Sequence, residues 1–344
     1  MDFSLSKEKI LKEEVCTDLK RILEAYNFFP IESAFLENAD LNISMIKRII
    51  EETDKNFTSK IYQKNKENIA LGTIGSKSIL RDSEIIALMD SIFSSLGIPV
   101  LIKVNNRKLI KFILEKNRIE VEKHPFVISI IDKLEKLGEE TIKEELLEKG
   151  IEERAIDQIF EIFALKGKRE GLLIKIKNEI GDCEGIRELE ELFKTLQDFA
   201  LENEYVFEPS LGNGSELYIG NIFEVILKDS ILKTPLARGG RLDKNYQIVK
   251  GILELAPICK MIKKEIKTKT KVLVVPIGEK IKEAIRLTQK LRFYNINTEL
   301  GSSKGLEKGI EFSLFVGEEL KLKDMKTGEE KALSVDEIIN SLKN

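Results

Sequence analysis

The sequence predicts an α+β fold: a sheet domain interrupted by a helical segment and followed by a small α/β domain. Three observations predict it. Helical and extended periodicities alternate over residues 1–123 and again over 203–266. From His124 to Glu202 the pattern is helical throughout, and after the polar run "KTKTK" at 267–271 comes the apolar run "VLVVPIG". Periods of 3.6 and 2 separate the two kinds of element, because each places apolar side chains on one face of a helix or a strand. An unbroken apolar run instead fits a parallel strand buried on both faces.

Taken in order, residues 4–26 carry Ile10, Leu11, Val15, Leu19, Ile22 and Leu23 at helical spacing. "NFFPIESAFLE" then reads as a turn at Pro30 into a short extended segment, and "ISMIKRIIEETDKN" as a second amphipathic helix. "SKIYQKNKENIALGTIGSKSI" (59–79) alternates on both sides of a polar turn and predicts a hairpin. "DSEIIALMDSIFSSLG" is a capped helix ending at Gly97, "IPVLIKVN" a strand and "NRKLIKFILEK" a helix. Within 124–202, Gly138, Gly150 and Gly167 mark helix stops. Strands return with "YVFEPSLGN", "ELYIGNIFEVIL" and the region around "TPLARGGR", and "YQIVKGILELAPICKMIKKEI" reads as a helix interrupted by Pro257. Beyond the linker, 272–344 reads as strand, helix, two strands, a hairpin with Thr327-Gly328 at its tip, and a capped helix.

Composition narrows the function. A chain of 344 residues, 42% hydrophobic, can bury a core large enough for two or three domains. Lys+Arg 56 against Asp+Glu 59 gives a net charge of −3, which argues against a polyanion binder over the whole surface and leaves room for a local basic face. No run approaches the roughly 18 apolar residues of a membrane span, and "MDFSLSKEKILKEE" is too polar for a signal peptide, so a soluble cytoplasmic protein without a membrane partner is expected. Cys16, Cys183 and Cys259 are far apart, and His124 is the only histidine. That inventory speaks against a zinc cage or any metal site, and leaves His124 as a loop or buried residue rather than a general base.

Several phrases resemble the histidyl-tRNA synthetase family. "VLVVPIGEKIKEAIRLTQKLRFYNINTEL" and above all "LKLKDMKTGEEKALSVDEI" are similar to its anticodon-binding domain. "RDSEIIALMDSIFSSLG" with "IKVNNRKLI", including Asn105 and Arg107, resembles the helix and strand after motif 2, and "IDKLEKLGEETIKEELLEKGI" the family's helical insertion. "LKRILEAYNFFPIESAFLE" is similar to a motif 1 helix and strand. The resemblance implies a class II synthetase-like antiparallel sheet domain at 1–123 and 203–266, an insertion at 124–202, and an anticodon-binding-like domain at 272–344.

It also implies a place for the chemistry. Amino-acid activation in this family uses arginines, whose guanidinium stays charged and binds phosphate oxygens in bidentate fashion. The family's S-L-x-R-G-x-D-Y-Y-T-G segment is "SLGNGSELYIG" here, so Asn213 stands at the arginine position, Glu216 at the acidic one and Leu217 at the first tyrosine, while Tyr218 is kept. The motif 3 region, "KGILELAPICKM", offers Gly251 and Glu254 with no arginine, and the motif 2 region "SKIYQKNKE" offers Lys64 and Lys66. "GGRLD" resembles the family's G-G-R-Y-D, keeping Gly239, Gly240, Arg241 and Asp243. The resemblance thus implies a remnant amino-acid pocket at Asn213, Glu216, Tyr218, Gly239, Gly240, Arg241 and Asp243 with no catalytic residue. The bland readings stay open: Asn213-Gly214 as a turn, Lys64 and Lys66 as a solvated loop, Tyr218 as strand packing.

The expectation is therefore a synthetase-like paralogue without aminoacylation activity, a homodimer that acts as a regulatory protein or binds tRNA, another RNA or a protein partner. Lys280, Lys282, Arg286, Lys290 and Arg292 fall at helical spacing as RNA contacts, or as a solvated helix face. No cofactor is expected. ATP and magnesium enter only under the alternative of a divergent, active histidine–tRNA ligase in which Arg238 or Arg241 takes over phosphate contacts. A regulatory subunit of ATP phosphoribosyltransferase is the third reading.

Overall fold

A computed structural model of the protein describes residues 3–31, 36–37, 40–41, 58–214, 217–230, 234–242, 247–262, 270–301 and 309–343. The helix expected in "ISMIKRIIEETDKN", most of the 267–271 linker, and the site candidates Glu216 and Asp243 lie outside the described residues. The chain divides into two compact units, Met1–Lys263 and Lys264–Asn344.

The first unit opens with helix α1 (Phe3–Ala25), which ends where Asn27 takes a left-handed conformation (φ 66°), three residues before Pro30. Two short strands, β2 (Leu36–Glu37) and β3 (Asp40–Leu41), pair with each other. The main sheet comprises β1 (Phe29–Pro30), β4 (Ser59–Lys64), β5 (Asn68–Ile74), β6 (Val100–Asn106), β7 (Glu204–Phe207), β8 (Asn221–Leu227), β9 (Pro235–Arg241) and β10 (Val249–Glu254). Its order is β1-β4-β5-β10-β9-β8-β6-β7, antiparallel except for the parallel edge pairs β1–β4 and β6–β7.

Strand β10 corrects the sequence reading, which takes 246–266 as one interrupted helix. The spacing of Val249, Ile252, Leu253 and Leu255 suits a helix face, but Val249 to Glu254 pair with β5 on one side and Val249 to Leu253 with β9 on the other. Those ladders come from strands distant in sequence, and pairing on both edges overrides a local preference. Among the described residues of this stretch only Leu255–Met261 is helical (α10), with Pro257 in its first turn, where its missing N–H has no bond to lose.

One face of the sheet packs on helix α2 (Leu80–Ser95). Gly251 makes the approach possible, since a Cβ there would lie 2.6 Å from Met89 Cε. Helix α3 (Arg107–Lys116) follows β6 directly, with the Asn106 side chain accepting a bond from the Lys108 amide as its N-cap. The segment 124–202 is helical as expected: α4 (His124–Ile131), α5 (Leu134–Leu137), α6 (Glu139–Glu148), α7 (Glu153–Ala164), α8 (Arg169–Ile180) and α9 (Glu184–Phe199). It shares one hydrophobic core with the sheet. Helix α9 packs on α2 and α3 so closely that a Cβ on Gly185 would stand 2.4 Å from the Leu109 amide nitrogen.

The second unit has a five-stranded sheet, β12 (Thr298–Leu300), β11 (Val272–Pro276), β13 (Phe312–Val316), β14 (Leu320–Asp324) and β15 (Glu330–Ala332), in that order. Strand β11 runs parallel to both neighbours. Val272 and Val274 face a core built with Ala284, Leu287 and Leu291 of α11 (Ile281–Phe293) and Ile338 of α12 (Val335–Lys343), while Leu273 and Val275 pack with Ile310 on the other face. That two-sided burial is what the run "VLVVP" encodes.

Candidate ligand site on the open face of the sheet

Side chains alternate across a strand, so the main sheet has two faces of different chemistry. Phe223, Gly239, Arg241 and Gly251 point to the α2 side. Lys103, Glu224, Arg238 and Lys250 occupy the opposite face and are matched across strands, Lys103 opposite Glu224 and Glu224 opposite Arg238.

A cavity of about 160 Å³ opens on that second face. Its floor is Lys103, Glu224 and Arg238. Its walls are Asp132 and Glu135 from the start of the insertion, with Glu208 and Asn213 from the segment after β7. The Lys103 ammonium pairs with Glu135. Burial, reinforced by Asp132 and only partly offset by Lys103, pushes the Glu224 carboxyl up to about 7. Asp132 accepts bonds from the amides of Gly212 (2.9 Å) and Asn213 (2.8 Å) and so fixes the loop at the cavity rim.

The loop that carries Asn213 is bound to the sheet by that residue. The Asn213 backbone is left-handed (φ 56°), and its side-chain amide donates to the Gly239 carbonyl (2.8 Å) and the Phe223 carbonyl (3.2 Å), bridging β9 and β8. Asn105 supports the same loop by donating to the carbonyls of Pro209 (2.9 Å) and Leu211 (3.0 Å). Tyr218 is buried, and loss of solvent pushes its hydroxyl up to about 12, with Arg238 and Arg107 pulling the other way.

The glycine doublet plays two parts. A Cβ on Gly239 would stand 2.1 Å from the Lys250 carbonyl oxygen and 2.5 Å from the Phe223 ring, so glycine there lets β9 fit between β8 and β10. Gly240 stands opposite Lys250 and Ile222 in the ladder. Arg241, expected beside the pocket, points to the other face. Its Nε donates to Asp82 at 3.2 Å, its Nη1 to the Ser76 carbonyl at 3.0 Å and its Nη2 to the Ser78 carbonyl at 2.9 Å, with a second bond from Nη2 to Asp82. Arg238 is half exposed and pairs with Glu254 at 3.1 Å.

Of the expected pocket residues, Asn213 lies at the cavity rim and bonds the Gly239 carbonyl, Tyr218 is buried, Gly240 faces the cavity side of the sheet, and Arg241 is turned away. Sequence reasoning missed Glu224, Lys103 and Lys250. The available signal was a lone charge inside an apolar strand, as in "NIFEVIL" and "IVKGIL". His124 is buried with Nε2 3.0 Å from the Ile119 carbonyl. Among the described residues no three His, Cys, Asp or Glu side chains cluster to hold a metal ion, and no helix is long and apolar enough to cross a membrane. Lys64 ends β4 and Lys66 is the middle residue of the three-residue turn 65–67, closed by the Asn65 carboxamide. Of the basic candidates in the second unit, Lys280 pairs with Glu283 (3.2 Å), Lys290 with Asp336 (3.3 Å), and Arg292 bonds the Thr298 carbonyl (3.0 Å). Lys282 and Arg286 are exposed one helical turn apart.

A mostly antiparallel sheet backed by helices, with a helical insertion between two of its strands, is the architecture of a class II synthetase core. The histidyl-tRNA synthetase family model matches residues 57–256, more than half of the chain, and the chain belongs to that family. It is 31% identical over 303 residues to the histidine–tRNA ligase of Bacteroides fragilis (strain YCH46), an alignment covering 78% of this chain and 66% of that protein. The chain thus spans just under two thirds of that relative's length. Its fold superposes on histidyl-tRNA synthetase from Nostoc sp. PCC 7120 with a TM-score of 0.83 at 21% identity, covering 98% of this chain and 96% of the other. It also superposes on an ATP phosphoribosyltransferase regulatory subunit/histidyl-tRNA synthetase from Bacillus halodurans C with a TM-score of 0.69 at 14% identity, covering 87% and 90%. These two likenesses are likenesses of fold.

Proposed function

We propose that this chain is a cytoplasmic histidyl-tRNA synthetase paralogue that works by binding and not by activating an amino acid. The observation that carries the reading is Asn213. At the position the resemblance assigns to a catalytic arginine stands a neutral amide whose donors are both engaged by β8 and β9 carbonyls. Loss of one preorganised charge-stabilising donor costs on the order of 100- to 1000-fold in rate. Three arginines stand near among the described residues, and each is engaged: Arg241 is clamped to Asp82 on the far face, Arg238 pairs with Glu254, and Arg107 donates to the Gly212 carbonyl at 2.7 Å; the three-residue β4–β5 turn bears no arginine.

Histidine-dependent ATP–pyrophosphate exchange tests it. Exchange at buffer background is expected, and a rate well above background would establish the divergent ligase instead. The ligase reading is favoured by the name of the Bacteroides relative, and a regulatory role beside ATP phosphoribosyltransferase by that of the Bacillus halodurans neighbour. In our reading the protein forms a homodimer and meets tRNA, another RNA or a protein partner through its second, anticodon-binding-like unit. Lys282→Ala together with Arg286→Ala should weaken a tRNA gel shift several-fold while moving stability by less than about 0.5 kcal/mol. An unchanged shift would remove RNA binding by this helix.

A further inference from the structure

Lys103 has two acidic neighbours and pairs with the farther one. It stands directly opposite Glu224 in the β6–β8 ladder, where same-face side chains lie about 5 Å apart at Cβ, yet its ammonium bonds Glu135 of α5. All three residues line the same cavity. The other charges facing Glu224 are Asp132 and Lys136 at the start of the insertion, Glu208 after β7, and Arg238 opposite on β9, which pairs with Glu254 at 3.1 Å. Among the described residues the Glu224 carboxyl has neither a hydrogen-bond nor an ion-pair partner. The two acids differ in their access to water. The Glu135 side chain is 41% exposed and stays hydrated if Lys103 leaves it, whereas an ionised Glu224 on the sheet floor is costly without a counter-ion. The segment that carries Glu135 is also weakly held. Helix α5 is a single turn, Leu134–Leu137, ended by Gly138 at φ 82° and held by Leu134 against the core and by the Glu135 ion pair.

We propose that Lys103 and Glu135 form a proton-controlled latch: ionisation of Glu224 draws Lys103 across the ladder, frees α5 from the sheet and opens the mouth of the cavity. The pH window follows from the surroundings of Glu224. Burial, reinforced by Asp132, pushes its carboxyl up to about 7, so the latch is closed at pH 6 and open at pH 8. Short, weakly anchored segments of this kind are where native proteins open locally, well before they unfold. The insertion thereby becomes a gate whose state depends on one carboxyl of the sheet. The latch stands apart from the question of catalysis. It requires neither an active nor an inactive synthetase, and exchange measurements with ATP leave it untouched.

The test is amide hydrogen exchange on the full chain at pH 6 and pH 8, with each rate divided by that of an unstructured peptide at the same pH. Protection of residues 133–138 should be at least about fivefold lower at pH 8, while that of α9 stays constant. Glu224→Gln should keep the pH 6 protection at pH 8, because an amide cannot ionise and leaves Lys103 with Glu135. Glu135→Gln should lower protection of this segment at pH 6 to the wild-type level at pH 8. Equal wild-type protection at the two pH values, a Glu224→Gln variant that keeps the wild-type response, or a parallel loss in α9 would each overturn the proposal. So would a Glu135→Gln variant as protected as wild type at pH 6. Glu224→Gln preserves shape and removes a strained charge, so it decides the matter even if Glu135→Gln does not fold.

Discussion

The two faces of the eight-stranded sheet treat charge in opposite ways. On the α2 side the charges are paired: four of the five N–H donors of Arg241 meet oxygens of Asp82, Ser76 or Ser78, and Lys60 pairs with Glu84 of α2. On the open side Glu224 is pushed up to about 7 and Lys250 down to about 8, each away from its charged form. A sheet built for stability alone would pair or remove such groups. The contrast puts paired charges on one face of the sheet and strained ones on the other.

If that division holds, substitutions on the two faces should move stability in opposite directions. The largest effect is expected from Arg241→Met, which strands the buried Asp82 carboxylate and should lower stability by about 3–5 kcal/mol in denaturant unfolding. A loss under about 1 kcal/mol would mean that the clamp is dispensable. Next, Glu224→Gln should stabilise the protein at pH 8 by about 2 kcal/mol. The sign follows from the direction of the shift. The folded carboxyl holds its proton to about pH 7 against an ordinary value of 4.5, so wild-type stability falls as pH rises through that window and stays lower above it. The glutamine variant should lack this part of the slope, and an unchanged slope would break the comparison.

Smaller effects separate rigid from yielding contacts on the α2 face. Gly239→Ala drives its methyl group into the Lys250 carbonyl and should cost about 2 kcal/mol. Gly251→Ala meets the end of the flexible Met89 side chain first and should cost under about 1 kcal/mol. Equal losses at the two positions would show that crowding by backbone and by a movable side chain cannot be told apart here.

Much of this was legible in the sequence. The apolar run 272–276 encoded its two-sided burial, the helical insertion showed in its periodicity, and "SLGNG" marked the loop that now holds Asn213. The hidden parts were those fixed by partners far along the chain. Strand β10 was hidden because its apolar spacing suits a helix until β5 and β9 supply ladders. Arg241 was misplaced because its motif was read without the alternation that turns it toward Asp82, 159 positions earlier. Lys250 and Glu224 were passed over because a single charge in an apolar strand looks like noise until its neighbours are known.

The Asn213 amide also limits which residues position 213 can hold. An arginine at 213 would add a positive charge at the cavity rim, yet it would also remove the two bonds that fasten this loop to β8 and β9. A larger side chain would have to leave a buried, left-handed position that asparagine tolerates well. Asn213→Arg alone therefore weakens the loop, and a stable arginine at this position requires compensating changes in the strands.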